Sequence, residues 1–586
     1  MFTASRQPNF AILVAVAWLL LVLQLVIQYW PETAVTLNDT DDAMRLVQVR
    51  EFLAGHGWFD LHMSRVQPPI GYDPHWSRLI DAGLAGTFLL FNQFFDAALA
   101  ERLMRVTWPL LWLLPAIAGV AAIAWRLAGR DAAVVVLLFA VIGLPALQQF
   151  KPGRIDHHNV QIAIAVMTVA AAAWSDRARW AATAAGALTG LGLAIGFEGM
   201  PFLLAGGAAI AIRYLVDREG NREMRDYGLA AAAATALGFV VTVAPAHWLH
   251  GACDMIAINS TVAVVAGGIG LALASTCRSA SLPVRAALLA VVAAVAAALF
   301  VIAEPACLGG PYAMVDPVVK PIWLAHVREM QPFLSLFAGN PATGLGLMTF
   351  PMAGIVAIAI LIRQKVWRTD FGFLVASFAL LLAVAMMFAA IKAYAYAMWL
   401  AMPLVAVLAL RLFEVLRLHA LVPRFIAGLL LTPTVLSAGI ITVANAAGLN
   451  RTDATAPDRD VCFKTANYAP LAALPPGLLV TDIDFGPFVL ALTPHSVLAA
   501  PYHRLSSGIV EAHRIFASPP EEAHHIVSRL HASYVVTCGA RGPVGLSDSQ
   551  RQASLFGRLQ AGAVPDWLTP EPATDGQPFV IYRVKS

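Results

Sequence analysis

The sequence predicts a polytopic α-helical membrane protein with a C-terminal soluble α/β domain outside the membrane. Of its 586 residues, 59% are hydrophobic and only 13% are charged, with a mean hydropathy of +0.70. A soluble domain averages about 25% charged residues. Long apolar stretches recur up to residue 445, and alternating strand-like and helical patterns replace them over 446–586. These observations together predict a membrane part followed by a soluble part.

The apolar stretches predict about thirteen transmembrane helices, since roughly 17–25 apolar residues cross a bilayer as a helix. They lie at 11–29, 104–125, 131–149, 160–175, 180–196, 200–215, 228–247, 256–274, 285–302, 350–363, 371–391, 394–410 and 425–445. Two long connections, 30–103 and 303–349, interrupt the series. The first stretch lacks a small-residue cleavage site, which favours a retained span over a removed signal peptide.

The charges in the connections predict which side of the membrane each one faces. Arginine and lysine occupy every second connection, and the positive-inside rule places those connections in the cytoplasm. The residues concerned are Arg6, Arg126, Arg130, Arg177, Arg179, Arg213, Arg218, Arg222, Arg225, Arg278, Arg285, Arg363, Lys365, Arg368, Arg411, Arg417 and Arg424. The two long connections then face outward. We therefore predict a bacterial-type inner (cytoplasmic) membrane protein whose tail is periplasmic or extracellular.

The tail, 446–586, carries the pattern of a small α/β domain. Its strand-like runs are GLLVTDIDF, SVLAA, ASYVVTC and PFVIYRV, and the helical run is EEAHHIVSRLHA. The chain has five cysteines and no CxxC pair, which argues against structural zinc or redox chemistry. Cys462 and Cys538 could pair in the tail, and the sequence leaves this open. The net charge of +3, without basic runs, argues against nucleic acid as a partner.

Acidic residues gather in the connections that are predicted to face outward. The segments NDTDD (38–42), KPGRIDHHN (151–159), GFEGMP (196–201) and WLAHVREMQPF (323–333) each bring an acid to the same membrane level. Such convergence indicates a divalent cation site, because Mg²⁺ and Mn²⁺ take oxygen ligands and can bridge to phosphate. Asp156 and His158 stand two positions apart, so one extended turn lets both reach a metal.

Each acidic segment taken alone has a simpler interpretation. NDTDD suits a helix N-cap whose acids favour the helix dipole. IDHHN suits a polar loop at the membrane interface, Glu198 suits a turn, and Glu329 suits a solvated side chain. The occurrence of all four segments on one side of the membrane favours the cation site.

The acidic motifs, in this order and topology, resemble those of the catalytic subunit of oligosaccharyltransferases, members of the GT-C fold of lipid-dependent glycosyltransferases. The matching residues are Asp41, Arg50 and Gly55 in the first motif, Asp156 and His158 in the second, and Glu329, Gln331 and Pro332 in the third. The resemblance implies a GT-C-like transmembrane catalytic domain over 1–445, with long outer loops 30–103 and 303–349. It also implies an external domain over 446–586.

The function that the resemblance implies is sugar transfer. A sugar or oligosaccharide would move from a polyprenyl-(pyro)phosphate donor to a glycan, lipid or protein acceptor at the outer face, among membrane lipids, with inversion at the anomeric carbon. Asp41 and Asp156 would bind Mg²⁺ or Mn²⁺ with help from His158, and Asp41 could double as the base. Glu329 would position the acceptor. The residues that the resemblance places at the donor phosphate are Lys392 and Arg154.

The sequence departs from the family pattern at three places. Relatives carry an arginine for the lipid pyrophosphate near the outer end of the late spans, and here Lys392, about one turn away, is the nearest cation. His158 stands where relatives carry a second acid, which could pass a ligand role to Asp42 or Glu198. TDIDFG (481–486) matches the family's acceptor-recognition motif WWDYG at Asp484 and lacks both tryptophans. Other candidates for acceptor or pocket residues are Trp76, Arg78, His503 and Arg504. Their alternative roles are to anchor the first loop at the interface and to form a surface loop of the tail.

Two other functions stay open at this level. The missing tryptophans favour a transferase that moves a monosaccharide onto a glycan or lipid rather than protein. A membrane transporter or lipid flippase would place ionisable residues near the bilayer midplane, often in repeated halves. The predicted spans carry almost no charge and no repeat is visible, so the sequence favours the glycosyltransferase.

Overall fold

Helices fill the first part of the chain. The structure is a computed structural model and describes residues 9–217, 220–278, 280–368, 370–449, 459–539, 541–572 and 577–585. Arg6 and Arg218 of the predicted charge pattern lie outside these residues. Helices α1 to α18 are Phe10–Tyr29, Thr40–Leu53, Arg78–Asn92, Ala97–Val141, Leu144–Leu147, His158–Trp174, Ala181–Ile195, Met200–Val216, Asn221–Thr242, Ile258–Ala274, Leu282–Ala303, Val319–Ile322, Phe333–Gly339, Pro341–Arg363, Phe371–Met387, Tyr394–Val415, Leu421–Leu430 and Pro433–Ala446.

Every apolar stretch that the sequence predicts to span the membrane coincides with helical structure. This follows from the bilayer, where only internal hydrogen bonds satisfy the backbone of a lone segment. Within the described residues, 5 helices are long and apolar enough to cross a membrane, or 6 if the bent pair α17 and α18 forms one span. Most other apolar helices have 10–17 residues, and the total of about thirteen spans stays a prediction.

A break inside α4 falls where the sequence predicts a cytoplasmic connection. Ala128 and Gly129 leave the helical conformation, and Gly129 has a φ of 74°, a left-handed backbone that glycine adopts without a steric cost. Just before the break, Arg126 is buried and pairs with Asp176 at 2.9 Å and Asp370 at 2.8 Å. This arginine joins α4 to the end of α6 and the start of α15.

The tail contains a five-stranded sheet in the order β2-β1-β3-β5-β4. Strands β1 to β5 are Leu478–Val480, Ser496–Val497, Tyr534–Cys538, Leu568–Pro570 and Phe579–Val584, and helices α19 to α24 are Ala469–Ala472, Gly486–Leu492, Ser506–Ala517, Pro520–Arg529, Asp548–Ala553 and Leu555–Gln560. β1 pairs in parallel with β2 and β3, and β5 pairs antiparallel with β3 and β4. The predicted α/β character of the tail is confirmed. The unpredicted strand β4 is short and ends in a proline, which strand patterns disfavour.

Two disulfides connect segments that are distant in sequence. Cys462–Cys538 joins the start of the tail to β3, which settles the pairing that the sequence leaves open. Cys253–Cys307 joins the loop after α9 to the turn after α11, and no spacing motif predicts it. Cys277 is free and exposed.

The tail docks on the long first loop through backbone groups. Arg65 donates to the carbonyl oxygens of Thr493 and His495, both at 2.6 Å. Beside it, Val66 forms a parallel bridge with Val497 of β2, so the loop extends the edge of the sheet. These contacts hold the tail against the part of the first loop that follows the acidic segment.

Candidate active site

The acidic segment of the first loop begins a helix. Asp39 is the N-cap of α2, and its carboxylate accepts hydrogen bonds from the backbone N–H groups of Asp41 and Asp42, both at 3.0 Å. The N-cap interpretation of NDTDD therefore holds for Asp39. It leaves the carboxylates of Asp41 and Asp42 available for other contacts.

Asp42 is buried and connects α2 to the second acidic loop. One carboxylate oxygen accepts from the backbone N–H groups of Ile155 at 2.7 Å and Asp156 at 3.1 Å, and the other accepts from Arg154 at 2.8 Å. Donors of the protein thus occupy both oxygens. A carboxylate in these surroundings fixes the position of the loop and is poorly placed to ligate a cation.

Arg154 lies among three acids. One terminal nitrogen contacts Asp39 and Asp42, and the other donates to Gln149 at 3.0 Å and Asp156 at 2.9 Å. The planar fork of a guanidinium suits such multiple contacts with carboxylates. The terminal nitrogens of Arg154 thus contact acids of the protein. The family resemblance implies that Arg154 contacts the donor phosphate, which stays a prediction.

Asp156 and the two histidines that follow it form a compact buried group. The carboxylate of Asp156 lies 3.0 Å from Nδ1 of His157 and 3.5 Å from Nε2 of His158. The possible ligand atoms of the three residues lie within 4.8 Å of one another. Burial raises the pKa of Asp156, but His158, His157 and Arg154 outweigh burial and hold this pKa well below its usual range. Asp156 is therefore ionised at neutral pH.

Glu198 joins this group from the connection between α7 and α8. Its carboxylate lies 3.1 Å from Nδ1 of His158, 3.5 Å from Nε2 of His157 and 2.8 Å from Nζ of Lys392. Burial raises the pKa of Glu198, but Lys392 and the two histidines outweigh burial and lower it well below its usual value. Glu198 thus faces His158, and Asp42 does not. Lys392, the other residue placed at the donor phosphate, is paired with an acid.

Glu329 reaches the same histidine from the late outer loop. Its carboxylate lies 3.8 Å from Nε2 of His158, and its side chain is 46% exposed. Among the described residues Glu329 forms no other ion pair. This acid therefore lies at the open edge of the group, where a substrate can approach it.

Asp41 lies close to the other acids and has no arginine or lysine partner among the described residues. Burial, together with the carboxylates of Asp156 and Glu329, raises the pKa of Asp41 to about 7. The hydroxyl of Tyr502, a tail residue, contacts this carboxylate and donates to the Thr40 carbonyl oxygen at 3.0 Å. Asp41 thus lies where the first loop, the second acidic loop and the tail meet.

The side chains gathered here fit a divalent cation. Asp156 and Glu329 come from segments far apart in sequence and meet at His158, at 3.5 and 3.8 Å, and Asp41, from a third segment, lies near enough for both acids to raise its pKa. A dication among them would relieve the repulsion that raises the Asp41 pKa. An imidazole in the ligand set suits Mn²⁺ or Zn²⁺ better than Mg²⁺, which prefers oxygen ligands. The predicted cofactor class therefore agrees with the chemistry of these residues.

The two pocket candidates of the first loop have different surroundings. The Trp76 ring is buried and its centre lies 6.0 Å from the ring of His157 and 5.3 Å from that of Tyr502. Arg78 is buried in an ion pair with Asp81 at 3.1 Å. Trp76 therefore forms a wall beside the histidines, and Arg78 stabilises the first loop.

The three candidates in the tail all form ion pairs. His503 and Arg504 both contact the carboxylate of Asp254, at 2.6 Å and 2.7 Å. Asp484 pairs with Arg541. Sequence reasoning missed Asp254, Tyr502 and Tyr312 because a single polar residue in a connection forms no motif. The one available signal for Asp254 is its place beside Cys253 in a connection that is predicted to face outward.

Comparison with solved structures identifies the fold. The archaeal oligosaccharyltransferase AglB from Archaeoglobus fulgidus, in complex with an inhibitory peptide and a dolichol-phosphate, matches with a TM-score of 0.68 and 14% sequence identity over 90% of this chain and 69% of that chain. The chain has the GT-C fold. The expectation from the family resemblance is confirmed at the level of the fold.

Two further structures of the same archaeal enzyme share the GT-C fold with this chain. One is tethered to an acceptor peptide containing the NVT sequon and has a TM-score of 0.64 and 14% identity, over 90% of this chain and 69% of that chain. The other is a complex with Zn and sulfate, with a TM-score of 0.56 and 16% identity, over 90% of this chain and 68% of that chain. No protein-family model and no curated protein matches the sequence.

Proposed function

We propose that the protein is an inverting glycosyltransferase, which moves a sugar or oligosaccharide from a polyprenyl-(pyro)phosphate donor to an acceptor at the outer face of the membrane. The observation that carries this proposal is the meeting of Asp41, Asp156 and Glu329 around His158 within a GT-C fold. AglB, which has the same fold, is an oligosaccharyltransferase whose structure contains dolichol-phosphate. That ligand belongs to the donor class proposed here.

The mechanism assigns a task to each residue. Asp41, Asp156 and His158 would hold the divalent cation, which supplies charge neutralisation for the departing phosphate. Asp41 would also orient the acceptor and accept its proton, and Glu329 at the open edge would position the acceptor. Lys392, 2.8 Å from Glu198, adds positive charge beside the histidines.

Two candidate functions differ in the class of acceptor that receives the sugar. One candidate glycosylates protein, by analogy with the Archaeoglobus fulgidus oligosaccharyltransferase, whose structure is tethered to a peptide containing the NVT sequon. The other transfers a monosaccharide to a glycan or lipid, and two observations favour it. TDIDFG lacks both tryptophans of the recognition motif, and Asp484 is already paired with Arg541. A transporter is disfavoured, because the carboxylates of this site lie in outer connections and at helix starts rather than near the middle of spans.

The disulfides support an outward-facing site. Cys253–Cys307 joins two connections that the loop charges predict to lie outside, and Cys462–Cys538 lies in the tail. Disulfides persist in oxidising compartments and are rare in the cytosol. We therefore place the tail and the site on the periplasmic or extracellular side of a bacterial-type inner membrane.

The experiment that tests the proposed function is mass analysis of cells with and without the gene. Lipid-linked sugars, glycans, glycolipids and glycoproteins are extracted and compared. We expect loss of one modified acceptor and accumulation of its lipid-linked donor in cells without the gene. Unchanged pools in all four fractions contradict the proposed function.

Glu329→Gln is expected to slow turnover without weakening donor binding. The substitution removes a charge whose one ion pair is with His158 at 3.8 Å, so the fold loses little. We expect kcat to fall by about 10²-fold, with the donor KM within about twofold, because a group that orients the acceptor acts mainly in the transition state. Steady-state kinetics with purified protein in detergent measures both values. A wild-type kcat removes Glu329 from the site.

Cation affinity is expected to depend on pH. A pKa of about 7 means that Asp41 is protonated below that pH in the cation-free protein, so the cation must displace a proton there. The carboxylates of Asp156, Glu198 and Glu329 lie 3.5, 3.1 and 3.8 Å from the His158 ring and favour its protonated form, so the cation must displace a proton from this imidazole as well. The Mn²⁺ concentration for half-maximal activity should therefore fall as pH rises through the whole range, and more steeply below pH 7 than above it. Metal titrations of chelator-treated protein between pH 5.5 and 8.5 measure this. Activity that survives chelation without added metal contradicts the cation assignment.

A further inference from the structure

Asp254 lies in the loop between α9 and α10, outside the acidic group, and holds two consecutive residues of the tail. One carboxylate oxygen contacts Nε2 of His503 at 2.6 Å and Nε of Arg504 at 2.8 Å. The other accepts from Nη2 of Arg504 at 2.7 Å. Burial raises the pKa of Asp254, but these hydrogen bonds outweigh burial and hold it well below its usual range. The contact is a bidentate ion pair between a membrane-side loop and the tail.

The disulfide fixes the place of Asp254. Cys253, the preceding residue, is bonded to Cys307 at the start of the segment 305–332. In the first turn of α10, the buried Asn259 side chain donates to the carbonyl oxygen of Ala252 at 3.0 Å and contacts the Cys307 sulfur at 3.5 Å. The loop that carries Asp254 is therefore tied to the segment 305–332, which carries Glu329.

Tyr312, in the segment 305–332, contacts both His503 of the tail and the turn that carries Glu329. Its ring packs edge-on against the ring of His503, with centres 5.4 Å apart, and its hydroxyl donates to the Met330 sulfur at 3.4 Å. Burial, together with the carboxylates of Glu198 and Glu329, raises the pKa of Tyr312 to about 12. The hydroxyl therefore stays a neutral donor at physiological pH.

The turn that carries Glu329 is held at the two residues that follow Glu329. Met330 follows Glu329 directly and contacts Tyr312, and the carbonyl oxygen of Gln331 accepts from the backbone N–H of Ile391 at 2.8 Å. The Glu329 side chain itself is half-exposed, with His158 at 3.8 Å. Its position depends on these supports more than on its own contacts.

We propose that Asp254 is a positioning residue for Glu329, acting through His503 and Tyr312, with its own place set by the Cys253–Cys307 disulfide. The proposal rests on the proposed function only for what Glu329 does to an acceptor. Because a misplacement of about 1 Å can cost roughly 10²-fold in rate, loosening this connection should slow turnover.

Asp254→Ala tests the proposal in the full-length protein with the intact wild-type tail. We expect kcat to fall by about 10- to 100-fold, with the donor KM within about twofold. In a Glu329→Gln background, Asp254→Ala should change kcat by less than about twofold, since a residue that acts only through Glu329 has nothing left to position. Effects that multiply in the double variant overturn the proposal.

Two matched controls accompany this variant. Glu511→Gln removes a carboxylate of the tail that pairs with Arg529 at 2.6 Å, and Cys277→Ser removes a free, exposed cysteine. Neither should change kcat. The double variant Cys253→Ser/Cys307→Ser should reproduce the effect of Asp254→Ala, and a wild-type kcat in that double variant overturns the part assigned to the disulfide.

Hydrogen exchange separates this proposal from the proposed function. Backbone amides of 326–331 should exchange about tenfold faster in Asp254→Ala than in Glu511→Gln, because the turn loses its support. This measurement needs no substrate, so it remains informative if no sugar transfer is found. Equal exchange in the two variants overturns the proposal, whatever the activity.

Discussion

Asp156→Asn is expected to lower kcat/KM for sugar transfer by about 10³-fold, roughly 4 kcal/mol of transition-state stabilisation. Asparagine keeps the shape of the side chain, and its oxygen can still accept from Arg154, now 2.9 Å from the carboxylate. The negative charge that faces His157 and His158 at 3.0 and 3.5 Å is lost. The substitution should therefore weaken cation binding and the neutralisation of the departing phosphate. The loop that carries Asp156 keeps its backbone contacts.

The measurement is transfer from a lipid-linked donor by purified protein, with size-exclusion chromatography in detergent to confirm folding. Asp41→Asn should lose a similar factor, because Asp41 belongs to the same group of acids. Asp226→Asn is the control, since this carboxylate contacts Arg225 at 2.8 Å on a different part of the chain and should leave activity within about twofold. Full activity in both Asp41→Asn and Asp156→Asn rejects the site.

The features predicted from the sequence are those that local composition decides. Hydropathy places the helices, because any long apolar segment in a bilayer must satisfy its own backbone. The break in α4 falls at Gly129, between Arg126 and Arg130 of the predicted connection. The tail strands follow from β-branched runs in 478–584. The loop charges predict that the acidic segments share one level of the membrane, and the family resemblance selects Asp41, Asp156 and Glu329 among their acids.

The features missed are those that depend on which loops touch. The sequence does not predict that Arg154 lies among Asp39, Asp42 and Asp156. It also does not predict that Lys392 pairs with Glu198, 194 residues away in sequence. The contact of both residues with a donor phosphate stays a prediction. Charge pairing between distant loops follows from the packing of the spans, and the hydrophobic periodicity of the sequence does not predict which loops come together. The same reason hides Asp254, whose partners lie about 250 residues downstream.

The contacts of Arg154 with buried acids predict a large effect of this residue on the stability of the fold. Arg154→Ala is expected to destabilise the protein by about 3–5 kcal/mol at neutral pH, because it leaves buried acids without their cation. Asp42 and Asp156 are nearly fully buried, at 1% and 2% exposed. A single guanidinium contacts both, so one substitution breaks two buried ion pairs. The midpoint of thermal unfolding in detergent measures the loss.

The sign of the pH dependence follows from the direction of the pKa shifts. In wild type the depressed pKa of Asp156 stabilises the fold above the unfolded pKa of about 4, and this contribution is lost as pH falls. Without Arg154 the buried carboxyls gain protons more easily, so their folded pKa values rise. Because His158 and His157 contribute more than Arg154 to the depression of the Asp156 pKa, this pKa rises only in part. The gap to wild type should therefore stay constant near neutral pH and narrow only in the acid range, as pH falls to about 4 and below.

Arg154→Lys supplies a second measurement if the alanine variant cannot be purified. Lysine keeps one positive charge but lacks the planar fork that contacts Asp39, Asp42 and Asp156 together. We expect roughly half of the alanine effect. Arg177→Ala, which removes an exposed arginine 4.0 Å from Asp370, should leave the unfolding midpoint unchanged. If Arg154→Ala and Arg177→Ala unfold at the same temperature, Arg154 does not hold the acidic loops together, and its contact with phosphate becomes the better assignment.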